Sequence, residues 1–265
     1  DSLSICRYIC SKTSEHIHIG FIGKTSYEYV ACLTGMIFSG NTVVPFSPDI
    51  TVEEAALLFD NADIEMLFCE EEFLSKAQVI QDKYKGIRQI VSLGDWHWFD
   101  NIFKTYSADS EYADLSDVEI DPHECALIIY TSGTTGRPKG AMLTHGNFTA
   151  QLDEGALKYF KVYEDDNFLL VLPLHHAFAF SANLLVPLRC RCEISIVENL
   201  RTVAENMKEV SPTILLAVPL LAEKMYNGIY AKLKKSKAAM LLMKLGLGKV
   251  IGKKVKEGLG GKLRL

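Results

Sequence analysis

The sequence has no uninterrupted apolar run long enough to cross a bilayer, and it does not open with the charged and then apolar segment of a secretory signal. Because both features are missing, we expect a cytoplasmic protein. The composition of a disordered chain is missing too, since 48% of the 265 residues are hydrophobic and 23% are charged. A chain of this length can bury a large core as one domain or as two subdomains.

Cysteine is present, but not in the patterns that bind zinc or form a disulfide framework. The seven cysteines are odd in number, scattered, and mostly within apolar runs. Cys6 and Cys10 are one helical turn apart and Cys190 and Cys192 flank a single residue, but neither pair has a CxxC partner set or a nearby pair of histidines. We therefore predict reduced core cysteines in an intracellular protein, and no zinc site.

Positive and negative charges are distributed unevenly along the chain. Residues 201–265 contain 14 Lys+Arg and 4 Asp+Glu, which leaves 14 against 29 for residues 1–200, so the two parts carry +10 and −15. Lysines alternate with apolar residues over 229–258, which is typical of a basic amphipathic segment. A solvated helical face, contact with an anionic membrane surface and contact with an acidic carrier protein all stay open. Nucleic acid is excluded, because these lysines lack arginine or interleaved aromatic partners.

Short apolar strands alternate with helical patterns along most of the chain. The strands are predicted over 17–22, 42–46, 64–69, 87–92, 125–130, 168–172, 192–197 and 213–219. The helices are predicted over 3–11, 27–38, 51–62, 72–84, 96–106, 147–159, 200–210 and 220–233. Repeated β-α-β order predicts an α/β fold in which parallel β-sheets are flanked by helices on both faces.

A segment rich in glycine and hydroxyl residues, TSGTTGRPKG over 131–140, directly follows the buried strand at 125–130. Glycine lets backbone N–H groups approach an anion, hydroxyls add donors, and Lys139 supplies a cation, so the segment predicts a phosphate-binding loop. It is not the GxxxxGK[ST] P-loop, because Arg137 and Pro138 separate Gly136 from Lys139. A flexible polar loop is the other interpretation of such a segment.

Two histidines, His175 and His176, follow the predicted strand at 168–172 after Pro173. A position where a parallel strand meets its helix lies at the carboxyl edge of the sheet, where α/β folds bind ligands. Histidines that only fill the start of a helix would produce the same pattern.

The segment over 130–140, continued by AMLTHGN over 141–147, resembles the signature loop of adenylate-forming enzymes, which include acyl-CoA synthetases, peptide-synthetase adenylation domains and luciferases. The His-His segment resembles the second signature of the same superfamily. The resemblance implies a layered α-β-α arrangement that is part of the large N-terminal domain, with a first subdomain over 1–163 and an incomplete second subdomain over 164–265. The expected nucleotide-binding residues are Thr131, Ser132, Gly133, Thr134, Thr135, Gly136 and Lys139.

By the same resemblance, His175, His176 and Phe178 bind the carboxylate substrate, and Lys139 and His176 are the catalytic residues. Relatives often have glycine where this chain has Ala179. We expect the larger alanine side chain to narrow the floor of the acid-binding pocket. The resemblance implies ATP, Mg²⁺ and CoA as cofactors, a fatty acid as the substrate, and CoA or an acyl carrier protein as the acceptor. None of the motifs identifies a metal ligand in this chain.

The family also has a downstream Tyr-Gly-x-Thr-Glu segment, a ribose-binding aspartate and a lysine in a small C-terminal domain, and none of these occurs in this sequence. We therefore expect the N-terminal portion of a long- or medium-chain fatty acid–CoA ligase that is inactive by itself. Two alternatives stay open, which are an aryl or amino acid adenylation domain and a non-catalytic nucleotide- or phosphate-binding module.

Overall fold

The structure, a computed structural model, describes residues 1–94, 96–108, 110–111, 114–115, 118–131, 138–236, 245 and 248–264. The chain divides into two compact units, Asp1–Gln151 and Leu152–Leu265. A compact unit need not coincide with a functional subdomain, so the subdomain boundary after residue 163 stays a prediction.

The first unit contains a six-stranded sheet. Its strands are β1 His18–Ile22, β2 Thr42–Phe46, β3 Ile64–Cys69, β4 Gln89–Ser92, β5 Cys125–Thr131 and β6 Lys139–Thr144, in the spatial order β4-β3-β1-β2-β5-β6. The helices are α1 Ser2–Lys12, α2 Tyr27–Phe38, α3 Val52–Asn61, α4 Leu74–Lys83, α5 Trp96–Thr105 and α6 His145–Ala150, with a 3₁₀ turn at Glu71–Phe73. The bounds of β1 to β5 and α1 to α5 lie within a few residues of the predicted ones, whereas α6 ends at Ala150, before the end of the helix predicted over 147–159.

The sheet is mainly parallel, as predicted, but β6 runs antiparallel to β5. The reason is the length of the connection, because only residues 132–138 join the two strands. A parallel crossover needs about a dozen residues or more, whereas a short loop can join antiparallel neighbours. The glycine-rich segment therefore connects two antiparallel neighbours, which form a hairpin.

Apolar side chains on both faces of β1 and β2 form the core of this unit. Phe21 and Tyr29 are both buried, and their rings stack with centroids 4.2 Å apart. Burying a side chain of this size stabilises a fold by roughly 1.5–3 kcal/mol. The predicted capping box at the start of α3 is present, because the Thr51 hydroxyl accepts from the Glu54 N–H and the Glu54 carboxylate accepts from the Thr51 N–H.

The second unit contains two parallel strands, β7 Asn167–Leu170 and β8 Glu193–Ile196. A π-helical segment, Gln151–Ala156, leads into α7 Leu157–Tyr159, and a second π-helical segment, Ala179–Leu185, leads into α8 Val186–Cys190. The remaining helices are α9 Val203–Val210, α10 Pro219–Lys235 and α11 Gly248–Gly258. No helix in the described part of the chain is long and apolar enough to cross a membrane.

The strand predicted over 213–219 is shorter than expected. Only Ile214 forms a bridge, to Phe168 of β7, and residues 215–218 form none before α10 begins at Pro219. Proline has no N–H to give to a sheet and suits the first turn of a helix, so Pro219 starts α10.

Candidate active site

The connected end of the β5–β6 hairpin lies at the carboxyl edge of the parallel sheet. Because β5 is parallel to β2, Thr131 at its end lies at the edge where the other parallel strands also end. Lys139 is paired with Thr131 across the hairpin, and the Thr131 hydroxyl donates to the Lys139 carbonyl oxygen at 3.4 Å. Both residues are exposed. This edge is where parallel α/β sheets bind ligands.

Ser132, Gly133, Thr134, Thr135 and Gly136 lie outside the described residues, and their expected contacts with phosphate stay predictions. The structure nevertheless shows where this segment begins and ends, because Thr131 before the segment and Lys139 after it are paired in the sheet.

Tyr130 attaches the hairpin to neighbouring elements of the first unit. Its hydroxyl is 2.7 Å from Oδ1 of Asn61 and 3.1 Å from the carbonyl oxygen of Leu58, and its ring stacks on Phe46 with centroids 6.0 Å apart. Burial and the nearby Asp63 carboxylate raise the pKa of Tyr130, so the hydroxyl stays protonated and able to donate. The sequence interpretation did not single out this residue. A tyrosine at the end of a buried strand indicates a ring that packs in the core and a hydroxyl that forms a hydrogen bond there.

Gly140 has a packing role. It lies opposite Tyr130 in the hairpin, and a Cβ atom added to it would be 2.8 Å from Cγ2 of Ile128. That separation is shorter than van der Waals contact allows, so the glycine is needed for β6 to approach β5. Gly140 lies at the end of the segment predicted to bind phosphate, and the structure shows that it is needed for packing.

The second set of predicted residues follows β7. The His176 N–H donates to the Pro173 carbonyl oxygen at 3.2 Å, and the His176 carbonyl oxygen accepts from the Phe180 N–H at 2.9 Å. These bonds make a turn that starts the helix and place the two imidazole rings side by side, with centroids 4.3 Å apart. His176 is exposed, and His175 is half-buried.

Phe178 is 55% exposed, whereas Ala179 and Phe180 after it are buried. A large apolar side chain held at a surface beside a histidine suits contact with a ligand that has both apolar and charged parts. The structure thus brings Thr131 together with Lys139, and His175 and His176 together near Phe178. The two sets belong to different compact units.

Comparison with known proteins identifies the family. The model of the family described as AMP-binding enzyme matches residues 12–264. The chain belongs to the AMP-binding enzyme family. A long-chain-fatty-acid–CoA ligase of Rattus norvegicus is 28% identical, and the match covers 96% of this chain and 44% of that protein. A chloroplastic long-chain-fatty-acid–[acyl-carrier-protein] ligase of Arabidopsis thaliana is 32% identical over 58% of this chain and 21% of its own length.

Solved structures agree with the fold of an AMP-binding enzyme. The crystal structure of a long-chain-fatty-acid–CoA ligase from Archaeoglobus fulgidus superposes with a TM-score of 0.73 at 21% identity, and the match covers 89% of this chain and 46% of that one. The fold is therefore that of the N-terminal domain of adenylate-forming enzymes, as the sequence predicted. This AMP-binding chain spans less than half the length of these two fatty acid–CoA ligases.

Proposed function

We propose that this chain forms the phosphate-binding and acid-binding parts of an AMP-forming acyl-CoA synthetase, and that the acid is a long- or medium-chain fatty acid. The observation that carries the proposal is the pairing of Thr131 with Lys139 at the carboxyl edge of the sheet, within a chain that matches the family from residue 12 to 264. The fatty acid–CoA ligases among its relatives support the choice of substrate class.

In this proposal the substrate ATP lies with its β- and γ-phosphates against the hairpin. Thr131 contributes a hydroxyl donor, and Lys139 contributes a compact positive charge at the other end of the segment. Serine, threonine and backbone N–H donors between them would surround the same phosphates. Such donors act by neutralising and positioning the leaving group, which is the main requirement of phosphoryl-type chemistry.

The carboxylate of the acid would lie beside His176, with Phe178 against its apolar part. One carboxylate oxygen attacks the α-phosphorus, a new O–P bond forms, and the bond to the bridging oxygen of pyrophosphate breaks, so that the electron pair leaves with pyrophosphate. His176 would hold the attacking oxygen in line by a hydrogen bond, which reduces the entropy cost of bringing two anions together. A thiol of CoA or of a carrier protein then displaces AMP from the acyl group.

Magnesium would supply further charge neutralisation for the phosphates, but we assign no ligand to it. No group of three or more His, Cys, Asp or Glu side chains that could hold a metal ion occurs in the described part of the chain. Of the loop residues expected to bind the nucleotide, Thr131 and Lys139 are the ones that the structure describes.

The test is ATP–pyrophosphate exchange with a panel of acids, in a protein that contains this chain together with the downstream adenine-binding segment. We expect exchange with medium- or long-chain fatty acids and weak exchange with aryl acids or amino acids. The opposite preference would favour the adenylation-domain alternative, and no exchange with any acid would leave the non-catalytic module. The 265-residue chain alone is expected to give no exchange.

We also propose peripheral contact with an anionic membrane through 229–258. In α11, Lys249, Lys253 and Lys256 are exposed and Val250 beside them is 44% exposed, whereas Ile251 is buried. Exposed lysines attract anionic lipid head groups, and an exposed apolar side chain beside them can enter the lipid interface.

A further inference from the structure

Three helices of the second unit, α9, α10 and α11, line an apolar groove of about 420 Å³. Its floor and walls are apolar or glycine residues, namely Val203, Ala204, Met207, Leu221, Met225, Gly228, Ile229, Leu233, Val255, Gly258 and Leu259. Although α10 has 17 residues, none of them is buried. The described residues therefore leave the inner face of α10 incompletely covered, which exposes apolar surface that water solvates poorly.

The rim of this groove carries charge of one sign. Arg201, Lys208, Lys224, Lys232 and Lys254 line it, and no carboxylate is among the described residues that line it. Among the described residues none of these five cations forms an ion pair. Five unneutralised cations around an apolar floor create a positive potential that attracts an anionic group.

Two glycines make room in the groove. A Cβ atom built on Gly228 of α10 or on Gly258 at the end of α11 would meet no heavy atom within 4 Å. The volume falls within the range of about 300–1,000 Å³ typical of sites for small molecules. The residues around His176 and Phe178 do not line this groove.

We propose that this groove is a second lipid site, which binds the acyl chain of a single anionic long-chain amphiphile and holds its head group against the rim cations. The apolar floor matches the chain, and the absence of carboxylates from the lining residues matches the anionic head. The site is separate from the pocket proposed for carboxylate activation, so binding here does not depend on that function.

The probe is tetradecyl phosphate, kept below the concentration at which it forms micelles, and its binding to the 265-residue chain is measured by calorimetry. Gly228→Phe adds a ring at a groove position where an added Cβ atom has open space, and we expect it to weaken binding about tenfold or more by displacing methylenes of the ligand. Gly252→Phe is the matched control, since Gly252 of α11 also has open space around its Cβ but does not line the groove. It should bind like the wild type.

The rim is tested by charge. Lys254→Glu should weaken binding, whereas Lys253→Glu, which changes the adjacent residue outside the groove, should have a smaller effect. Higher ionic strength should also weaken binding. Tetradecylphosphocholine, which has the same chain and no net charge, should bind more weakly than the phosphate.

Unchanged binding by Gly228→Phe would overturn the proposal, because the chain would then lie elsewhere. Equal binding of the zwitterion and the phosphate would overturn the role of the rim. Binding to phosphatidylglycerol vesicles without binding of the monomeric probe would show a membrane surface in place of a single-ligand site, and would overturn the proposal too.

Discussion

At the scale of single residues, Lys139 lies at the end of the hairpin that we propose to bind phosphate. We predict that Lys139→Ala weakens ATP binding by the 265-residue chain about tenfold, the effect of losing one charge-assisted hydrogen bond. Calorimetric titration with ATP measures this. Lys85→Ala removes the same charge from an exposed turn after α4 of the first unit and should bind ATP like the wild type. Equal affinities for wild type and Lys139→Ala would remove Lys139 from the phosphate site.

Asn183 is a second residue with a distinct expected behaviour. It lies on the π-helical segment that follows His176, it is 0% exposed, and neither its amide nitrogen nor its amide oxygen has a hydrogen-bond partner in the described part of the chain. A buried amide without partners destabilises a fold by about 1–3 kcal/mol. We therefore predict that Asn183→Leu, which keeps a side chain branched at Cγ and replaces the amide by methyl groups, raises the midpoint of urea unfolding.

Asn183→Ala is the control for this change, because it removes the amide but leaves a cavity, and we expect it to be less stable than Asn183→Leu. A lower midpoint for Asn183→Leu than for the wild type would show that the amide does have a partner. If Asn183→Leu is more stable but loses acid-dependent exchange activity, the unpaired amide serves the site at the expense of stability.

At the scale of elements, residues 262–264 are held against β7 by Arg264. Its guanidinium donates from Nε to Oδ1 of Asp166 at 2.9 Å and from Nη2 to Oδ2, and its backbone N–H donates to the Thr213 carbonyl oxygen at 2.9 Å. Burial opposes ionisation of Asp166, but the bonds from Arg264 and Thr213 outweigh it and hold its pKa below the ordinary value. The pair therefore fastens the end of the described chain to the second sheet.

We predict that Arg264→Ala lowers the free energy of unfolding by about 3 kcal/mol near pH 7, since it leaves a buried carboxylate without its cation. A carboxylate whose folded pKa is depressed stabilises the fold fully above its unfolded pKa of about 3.9, and that contribution is lost as the pH falls through the folded pKa. The difference between wild type and variant in urea unfolding should thus shrink below pH 4.

Arg189→Ala is the matched control for Arg264→Ala. Arg189 pairs with Asp153 at 3.5 Å, and both side chains are at least half exposed, so its loss should cost less than about 1 kcal/mol at any pH. Equal losses for the two variants, or a difference that does not change with pH, would contradict the assignment to Asp166.

The elements also show what sequence patterns determine and what they do not. Apolar runs and caps predicted β1 to β5 and α3 within a few residues, because these elements depend on local periodicity and on bonds such as that between Thr51 and Glu54. The antiparallel direction of β6 was not predicted, although the short connection over 132–138 is a local signal for it. The pairing of Asp166 with Arg264 had no local signal either, because 98 residues separate them.

For the candidate site, the motifs predicted Thr131 and Lys139 in a loop after one strand and His176 after another, but they could not distinguish a glycine that binds phosphate from one that is needed for packing. Gly140 is needed for packing, because a Cβ atom added to it would lie too close to Ile128. That distinction needs the register of β5 and β6, which brings Gly140 opposite Tyr130.

At the scale of the whole molecule, the charge asymmetry between residues 1–200 and 201–265, −15 against +10, is the feature that composition alone would hide under a net charge of −5. A basic segment is attracted to an anionic surface even when the protein as a whole is acidic, because screening limits charge interactions to about 8–10 Å at moderate salt. Each lysine near such a surface contributes about 1 kcal/mol.

We predict that the chain sediments with vesicles containing phosphatidylglycerol, not with phosphatidylcholine alone, and that about 0.5 M salt releases it. Changing Lys249, Lys253 and Lys256 of α11 to glutamate should reduce binding at least about tenfold. The control changes Lys12, Lys85 and Lys104, three exposed lysines of the first unit, to glutamate and so alters the net charge by the same amount. If both triple variants lose binding equally, the attraction depends on overall charge and the segment over 229–258 is not a membrane-binding surface.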